Sequence, residues 1–186
     1  MNGLLERIRS CTACPLENGH RPVLQASPKA RVVIIGQAPG SKVHASGVPW
    51  DDESGDRLRE WMNVDKEVFY GVRVGIVPMG FCYPGKGDGG DLPPRPECAP
   101  LWHQELLAST PEVRLTVLTG MYAQKAYLPS RSKTLTATVR RWSEFGDVLP
   151  IPHPAWRSRI FMRKNPWFEE DVLPYLRARV LAALAD

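Results

Sequence analysis

Apolar residues in this chain come as short, nearly continuous β-branched runs separated by longer amphipathic stretches. Residues 31–36, RVVIIG, are the clearest case. No polar residue alternates within the run, so it predicts a strand covered on both faces, as in a parallel sheet. Residues 74–78, 115–118 and 148–151 repeat the pattern, at intervals long enough for helical crossovers. The expected fold is α/β, a three-layer α/β/α sandwich on a central, mainly parallel four-stranded sheet. The length predicts one domain over 1–186. Helices are expected in the gaps. Residues 54–62 carry Leu58, Trp61 and Met62 at helical spacing behind Ser54 as a cap. Residues 101–109, 121–127 and 135–142 give weaker helical patterns. Leu173, Leu176, Val180, Leu181 and Leu184 share one face of a C-terminal helix, with Pro174 in its first turn. Residues 83–96, rich in glycine and proline, predict a loop.

Charge adds a mild bias. The formal net charge is +4 and the isoelectric point about 9.0, which permits a polyanionic partner without demanding one. The basic residues are uneven, with Arg157, Arg159, Arg163 and Lys164 crowded around Ile160, Phe161 and Met162. That mixture suits a loop lying on nucleic acid, and equally a solvated loop. No stretch is apolar enough for its length to span a membrane. The N-terminus has no secretory pattern, so an intracellular, cytoplasmic protein is expected. With no apolar face left over after the core helices, a monomer is expected as well.

The cysteines change the picture more. There are four, Cys11 and Cys14 in a C-x-x-C pair and then Cys82 and Cys98. Four thiolates are what a tetrahedral metal or iron–sulfur site requires. Disulfides are the lesser alternative in a reducing compartment. Spacing does not choose between zinc and iron–sulfur, because the interval from Cys82 to Cys98 fits neither a short zinc knuckle nor a ferredoxin run. Either way, a shared site would tie the N-terminus to the middle of the chain and pin the 83–96 tract at both ends.

Ligands of such sheets bind outside the carboxyl ends of the strands, so the loops after the strands are the first candidates for chemistry. Gly36-Gln37-Ala38-Pro39-Gly40 follows the first strand and lets backbone amides approach a flat ligand. Pro152-His153-Pro154-Ala155-Trp156 follows the last and fixes a histidine between two prolines. A third loop offers Trp50 followed by Asp51, Asp52 and Glu53. His20, His44 and His103 read as surface or packing residues.

Together these motifs resemble the uracil-DNA glycosylase superfamily, and specifically its iron–sulfur branch, the thermostable family-four class. The resemblance runs from Cys11 to about Trp167. It rests on the N-terminal C-x-x-C, the GQAPG first motif, the glycine-x-proline-aromatic stretch ending in Trp50, the widely spaced cysteine pair and the closing HPA motif. It implies a [4Fe–4S] cluster, structural in role, on Cys11, Cys14, Cys82 and Cys98. It implies a nucleoid-associated base-excision enzyme that flips a deaminated base out of DNA and hydrolyses its glycosidic bond, leaving an abasic site. His153 would stabilise the departing base, and Trp50 would stack on it within a pocket formed by Gly36, Gln37, Ala38, Pro39 and Gly40. Trp156, Arg157, Arg159, Arg163 and Lys164 would contact DNA, with Ile160 or Phe161 as a wedge.

Three positions depart from the pattern. Gln37 replaces the glutamate usual in the iron–sulfur class. Ala38 stands where the main uracil glycosylases carry their catalytic aspartate. Pro78 stands where an asparagine reads the uracil edge. Recognition would then pass to backbone groups, to Met79 and Phe81, or to a different deaminated base. Water activation would pass to the nearest acids, Asp52 or Glu53. These departures keep two alternatives in play, a lesion-binding protein with little hydrolytic activity and a binder of free nucleobases or nucleotides.

Overall fold

The computed structural model describes residues 1–185, and its centre is a four-stranded, fully parallel sheet. Its strands are β1 (Val32–Ile35), β2 (Val74–Ile76), β5 (Leu115–Thr119) and β6 (Val148–Ile151). A small antiparallel hairpin, β3 (Lys86–Gly87) and β4 (Gly90–Asp91), intervenes in sequence. The spatial order is β2-β1-β5-β6. Val32 pairs with Val74 on one side and Leu115 on the other, and Val117 pairs with Leu149. The chain runs from β1 out to β2, then crosses back to β5 on the other flank of β1. The sheet therefore has a topological switch point between β1 and β5, which opens a crevice beyond their carboxyl ends.

Helices cover both faces: α1 (Asn2–Arg9), α2 (Ser41–Ser46), α3 (Glu53–Met62), α4 (Lys66–Phe69), α5 (Cys98–Ala108), α6 (Met121–Tyr127), α7 (Leu135–Arg140), α8 (Ser158–Lys164) and α9 (Leu173–Leu184). Strand alternation sorts the core into two layers. Val32, Ile34, Val74, Ile76, Val117 and Leu149 face one way, onto Leu58, Trp61 and Met62 of α3 and Leu173, Leu176 and Val180 of α9. Val33, Ile35 and Leu118 face the other way, onto Leu4, Leu5 and Ile8 of α1 and Trp102 and Leu106 of α5. All these strand residues are almost completely buried, which is why their runs carry no polar alternation.

Several elements differ from the sequence expectation. The cap of α3 is Asp52, not Ser54: its carboxylate accepts the Gly55 N–H at 2.9 Å. Residues 83–96 are not wholly irregular, since they contain the β3–β4 hairpin. Residues 158–164, expected as a loop, form α8, because Phe161 packs edge-on against Trp167 and Phe168 and holds that turn on the core. A π-helical turn, Phe168–Val172, then leads into α9, with Pro174 in the first turn as expected. Among the described residues, no helix is long and apolar enough to cross a membrane.

Candidate active site

The crevice at the switch point is a cleft of about 450 Å³. Residues 36–40 line it after β1, with Trp50, Asp52 and Ser54 from the start of α3, Pro78 from beyond β2, and His153, Ala155 and Arg157 from beyond β6. Gly89, Gly90, Asp91 and Leu92 of the hairpin close another side. Widely separated segments thus converge where the fold opens, which is the usual place for a ligand in an open α/β sheet.

His153 is held from several directions. Arg57 Nη1 donates to the Pro154 carbonyl at 2.9 Å, and Gln124 Nε2 donates to the Ile151 carbonyl at 2.9 Å. A side chain at Gly120, where φ is +84°, would start 3.3 Å from His153 Cβ, so glycine there both permits the turn and leaves room for the ring. Half-buried among protein groups, the His153 imidazole has its pKa pushed down from 6.5 to about 4, because burial disfavours its charged form. It is a neutral ring at pH 7, able to donate a hydrogen bond from one nitrogen.

Trp50 lies beside it, with ring centroids 5.3 Å apart and planes tilted by 32°. The indole also lies against Gly36, where an added Cβ would sit 3.0 Å from the ring. Trp50 itself has φ of +57°, a left-handed conformation that costs a bulky residue about 1–3 kcal/mol and persists only when its surroundings hold it. They do. Tyr70 Oη donates to the Pro49 carbonyl at 3.0 Å, Arg59 Nη1 reaches the Trp50 carbonyl at 3.4 Å, and α3 packs on that carbonyl through Gly55. A Cβ at Gly55 would lie 1.8 Å from the Trp50 oxygen. Gly55→Ala is accordingly expected to lower stability by about 1–3 kcal/mol and to weaken any ligand that stacks on Trp50. Denaturant unfolding beside ligand titration checks this; an alanine variant with unchanged stability and binding would rule out the Trp50 clamp.

The other expected pocket residues divide. Gln37 and Ala38 line the cleft, and their backbone amides make no hydrogen bond among the described residues. Met79 and Phe81 do not line it. Phe81 is fully buried in the opposite core, stacked on His103 at 5.6 Å, and Met79 packs against the same layer. The backbone beyond β2 turns Pro78 toward the cleft and Phe81 away from it. The Pro78 carbonyl meets His103 Nε2 at 2.9 Å. His103 therefore has a packing role, as expected, and that wall of the cleft offers a ligand neither a side-chain amide nor a free backbone group.

The acids also divide. Asp52 lines the cleft but is committed to capping α3; burial pushes its pKa up, and the capping hydrogen bonds oppose that. Glu53 is exposed, outside the cleft, and bound to Lys42, which holds its carboxyl below the usual range. Asp91, which no local motif marked, is the further carboxylate in the cleft.

Of the basic group, Arg157 lines the cleft and its guanidinium stacks on Trp156 at 5.3 Å. Trp156 is 65% exposed and Ile160 46%, whereas Phe161 is tied into the core, so the apolar tips free to meet a partner are Trp156 and Ile160. Arg159, Arg163 and Lys164 are exposed on α8.

Cys11, Cys14, Cys82 and Cys98 are free thiols lining one small cavity together with His20, Gly80 and Arg95. The Phe81 N–H donates to Cys98 Sγ at 3.3 Å. Burial pushes the Cys98 thiol up to about 12 and raises Cys14 and Cys82 as well. Among the described residues no three Cys, His, Asp or Glu are gathered tightly enough for a single metal ion.

The sequence model of the uracil DNA glycosylase superfamily matches residues 24–177 of the 186. The chain belongs to the uracil DNA glycosylase superfamily. The match contains all of the cleft's lining except Val23, with Trp50, His153 and the 36–40 loop. Membership makes this chain a glycosylase-type hydrolase with DNA as its substrate class. Cys82 and Cys98 fall inside the match; Cys11 and Cys14 precede it.

Proposed function

We propose that this protein removes uracil, or a related deaminated base, from DNA as a monofunctional, monomeric glycosylase, leaving an abasic site. The observation that carries this reading is a neutral His153 beside Trp50 in one cleft with the backbone amides of Gln37 and Ala38. Breaking the glycosidic bond leaves negative charge on the base and an oxocarbenium-like sugar. A base flipped into the cleft stacks on Trp50, and the Gln37 and Ala38 amides donate to its edge. The neutral His153 N–H donates to the carbonyl oxygen on which charge develops. Being fixed in place beforehand, it acts without reorganisation. Arg157 and the exposed α8 cations engage phosphates, and Trp156 or Ile160 fills the gap left in the stack.

The four cysteines fit a [4Fe–4S] cluster by donor chemistry: four soft thiols converge on one cavity, and a backbone N–H already points at one sulfur. When bound on Cys11, Cys14, Cys82 and Cys98, such a cluster would cross-link residues 11–14 to the two ends of the 83–97 segment.

Single-turnover cleavage of duplexes carrying uracil, hypoxanthine or xanthine tests the reading. Excision of at least one base is expected, and binding should weaken steeply with added salt, as phosphate contacts require. Salt-sensitive binding without excision of any base would replace the enzyme with a lesion-binding protein; salt-insensitive binding of the free base would replace it with a nucleobase binder.

A further inference from the structure

Resting on that reading, we infer that Asp91, carried on the β3–β4 hairpin, activates the attacking water. The place that a catalytic aspartate takes in the first motif is Ala38 in this chain, so the loop after β1 brings no acid of its own. The hairpin brings one from elsewhere. Asp91 lines the same cleft as His153 and Trp50, and its Oδ2 approaches the loop so closely that a Cβ at Gly40 would stand 3.4 Å away. That distance is ordinary van der Waals contact, so the carboxylate rests against the loop that follows β1.

Comparison with the other acids favours Asp91. Glu53 lies outside the cleft and holds Lys42, whereas Asp91, though also exposed, lines it. Asp52 accepts the Gly55 N–H at 2.9 Å, a normal-length bond that fixes its carboxylate on the N-terminus of α3. Among the described residues Asp91 receives only a long hydrogen bond, 3.4 Å, from the Tyr83 hydroxyl, too weak to commit the carboxylate, so its lone pairs are free for water. A carboxylate also suits the sugar side of this reaction, where positive charge develops. At the base edge it would repel the anion that has to leave.

The step balances without a further reagent. The glycosidic C1′–N bond breaks and its electron pair departs with the base, whose oxygen is held by His153. A water oxygen forms the new bond to C1′, its proton passes to Asp91, and the carboxyl later returns that proton to solvent. The base is protonated from solvent after release.

The test compares the full-length wild type, Asp91→Asn, Tyr83→Phe and His153→Gln. Single-turnover excision is measured alongside affinity for a duplex carrying a 2′-fluoro analogue that is bound but not cleaved. Asp91→Asn is expected to lower the rate about a hundredfold on every base the wild type excises, with affinity for the analogue unchanged. Tyr83→Phe should change the rate little. Added azide, a nucleophile that needs no deprotonation, should restore turnover to Asp91→Asn but not to His153→Gln. Undiminished excision by Asp91→Asn, weakened analogue binding, or an equal loss in Tyr83→Phe would each overturn the assignment while leaving the glycosylase reading intact. A wild type that excises nothing would fail the glycosylase reading and take this one with it.

Discussion

Replacing His153 with alanine is expected to slow single-turnover base excision about a thousandfold, the upper range for loss of a donor aimed at developing negative charge. Affinity for an uncleavable analogue should change far less, because the donor is worth most when the charge has formed. The expectation follows from the ring's surroundings. The Arg57 bond to Pro154, the Gln124 bond to Ile151 and the bare Gly120 hold the loop, so the imidazole is in place before the base arrives. Burial keeps it neutral, which has a second measurable effect. The native ring takes up a proton only near pH 4, whereas in the unfolded chain it does so near 6.5. Between those values the unfolded state binds more protons, so stability present above pH 6.5 is lost as pH falls toward 4. The melting temperature of the wild type should drop over that window, and His153→Gln should flatten the drop. Retention of excision by His153→Ala, or an identical pH profile in His153→Gln, would remove His153 from the centre of the site.

Much of this site was legible because its parts are local. A β-branched run that ends in glycine declares a buried strand and the loop after it, so the residue pattern alone puts the 36–40 turn and the 152–156 turn at the same edge of the sheet. His153 between two prolines and Trp50 after a glycine-x-proline stretch needed only that placement. Residues that depend on register or on distant partners were not legible. Met79 and Phe81 are close in sequence to Pro78, but Phe81 projects into the opposite core, where His103 stacks on it. Residues 51–56 offer several residues able to cap a helix, and the choice of Asp52 is made by Gly55 packing on the Trp50 carbonyl. The start of α8 was hidden by the prolines before it, and its helicity comes from Phe161 meeting Trp167 and Phe168 later in the chain. Asp91 lies in a glycine-rich tract with no motif. Only the fold brings its carboxylate to Gly40.

Cys98→Ser tests the cysteine cluster most directly, because serine nearly preserves the volume while removing a soft ligand. Loss of a structural metal belongs to the short list of changes that cost on the order of 4–5 kcal/mol or more, and a loss of that size is expected here in thermal or denaturant unfolding. The wild type should carry iron and a broad visible absorption, and the variant should lose both. The effect should reach the active site. Cys82 and Cys98 bracket the segment that supplies Pro84, Gly89, Gly90, Asp91 and Leu92 to the cleft, and a cluster would anchor both ends of that wall beyond its own hairpin, the Leu92 N–H to Gly85 bond and the packing of Tyr83 on His44. Cys98→Ser should therefore weaken binding of the uncleavable analogue as well as excision, whereas His153→Ala should affect mainly excision. Zinc in place of iron would keep the staple and change the metal. A wild type free of metal, or a Cys98→Ser variant as stable as the wild type, would leave the four thiols as packing residues. The hairpin would then owe its position over the cleft to the protein's own contacts.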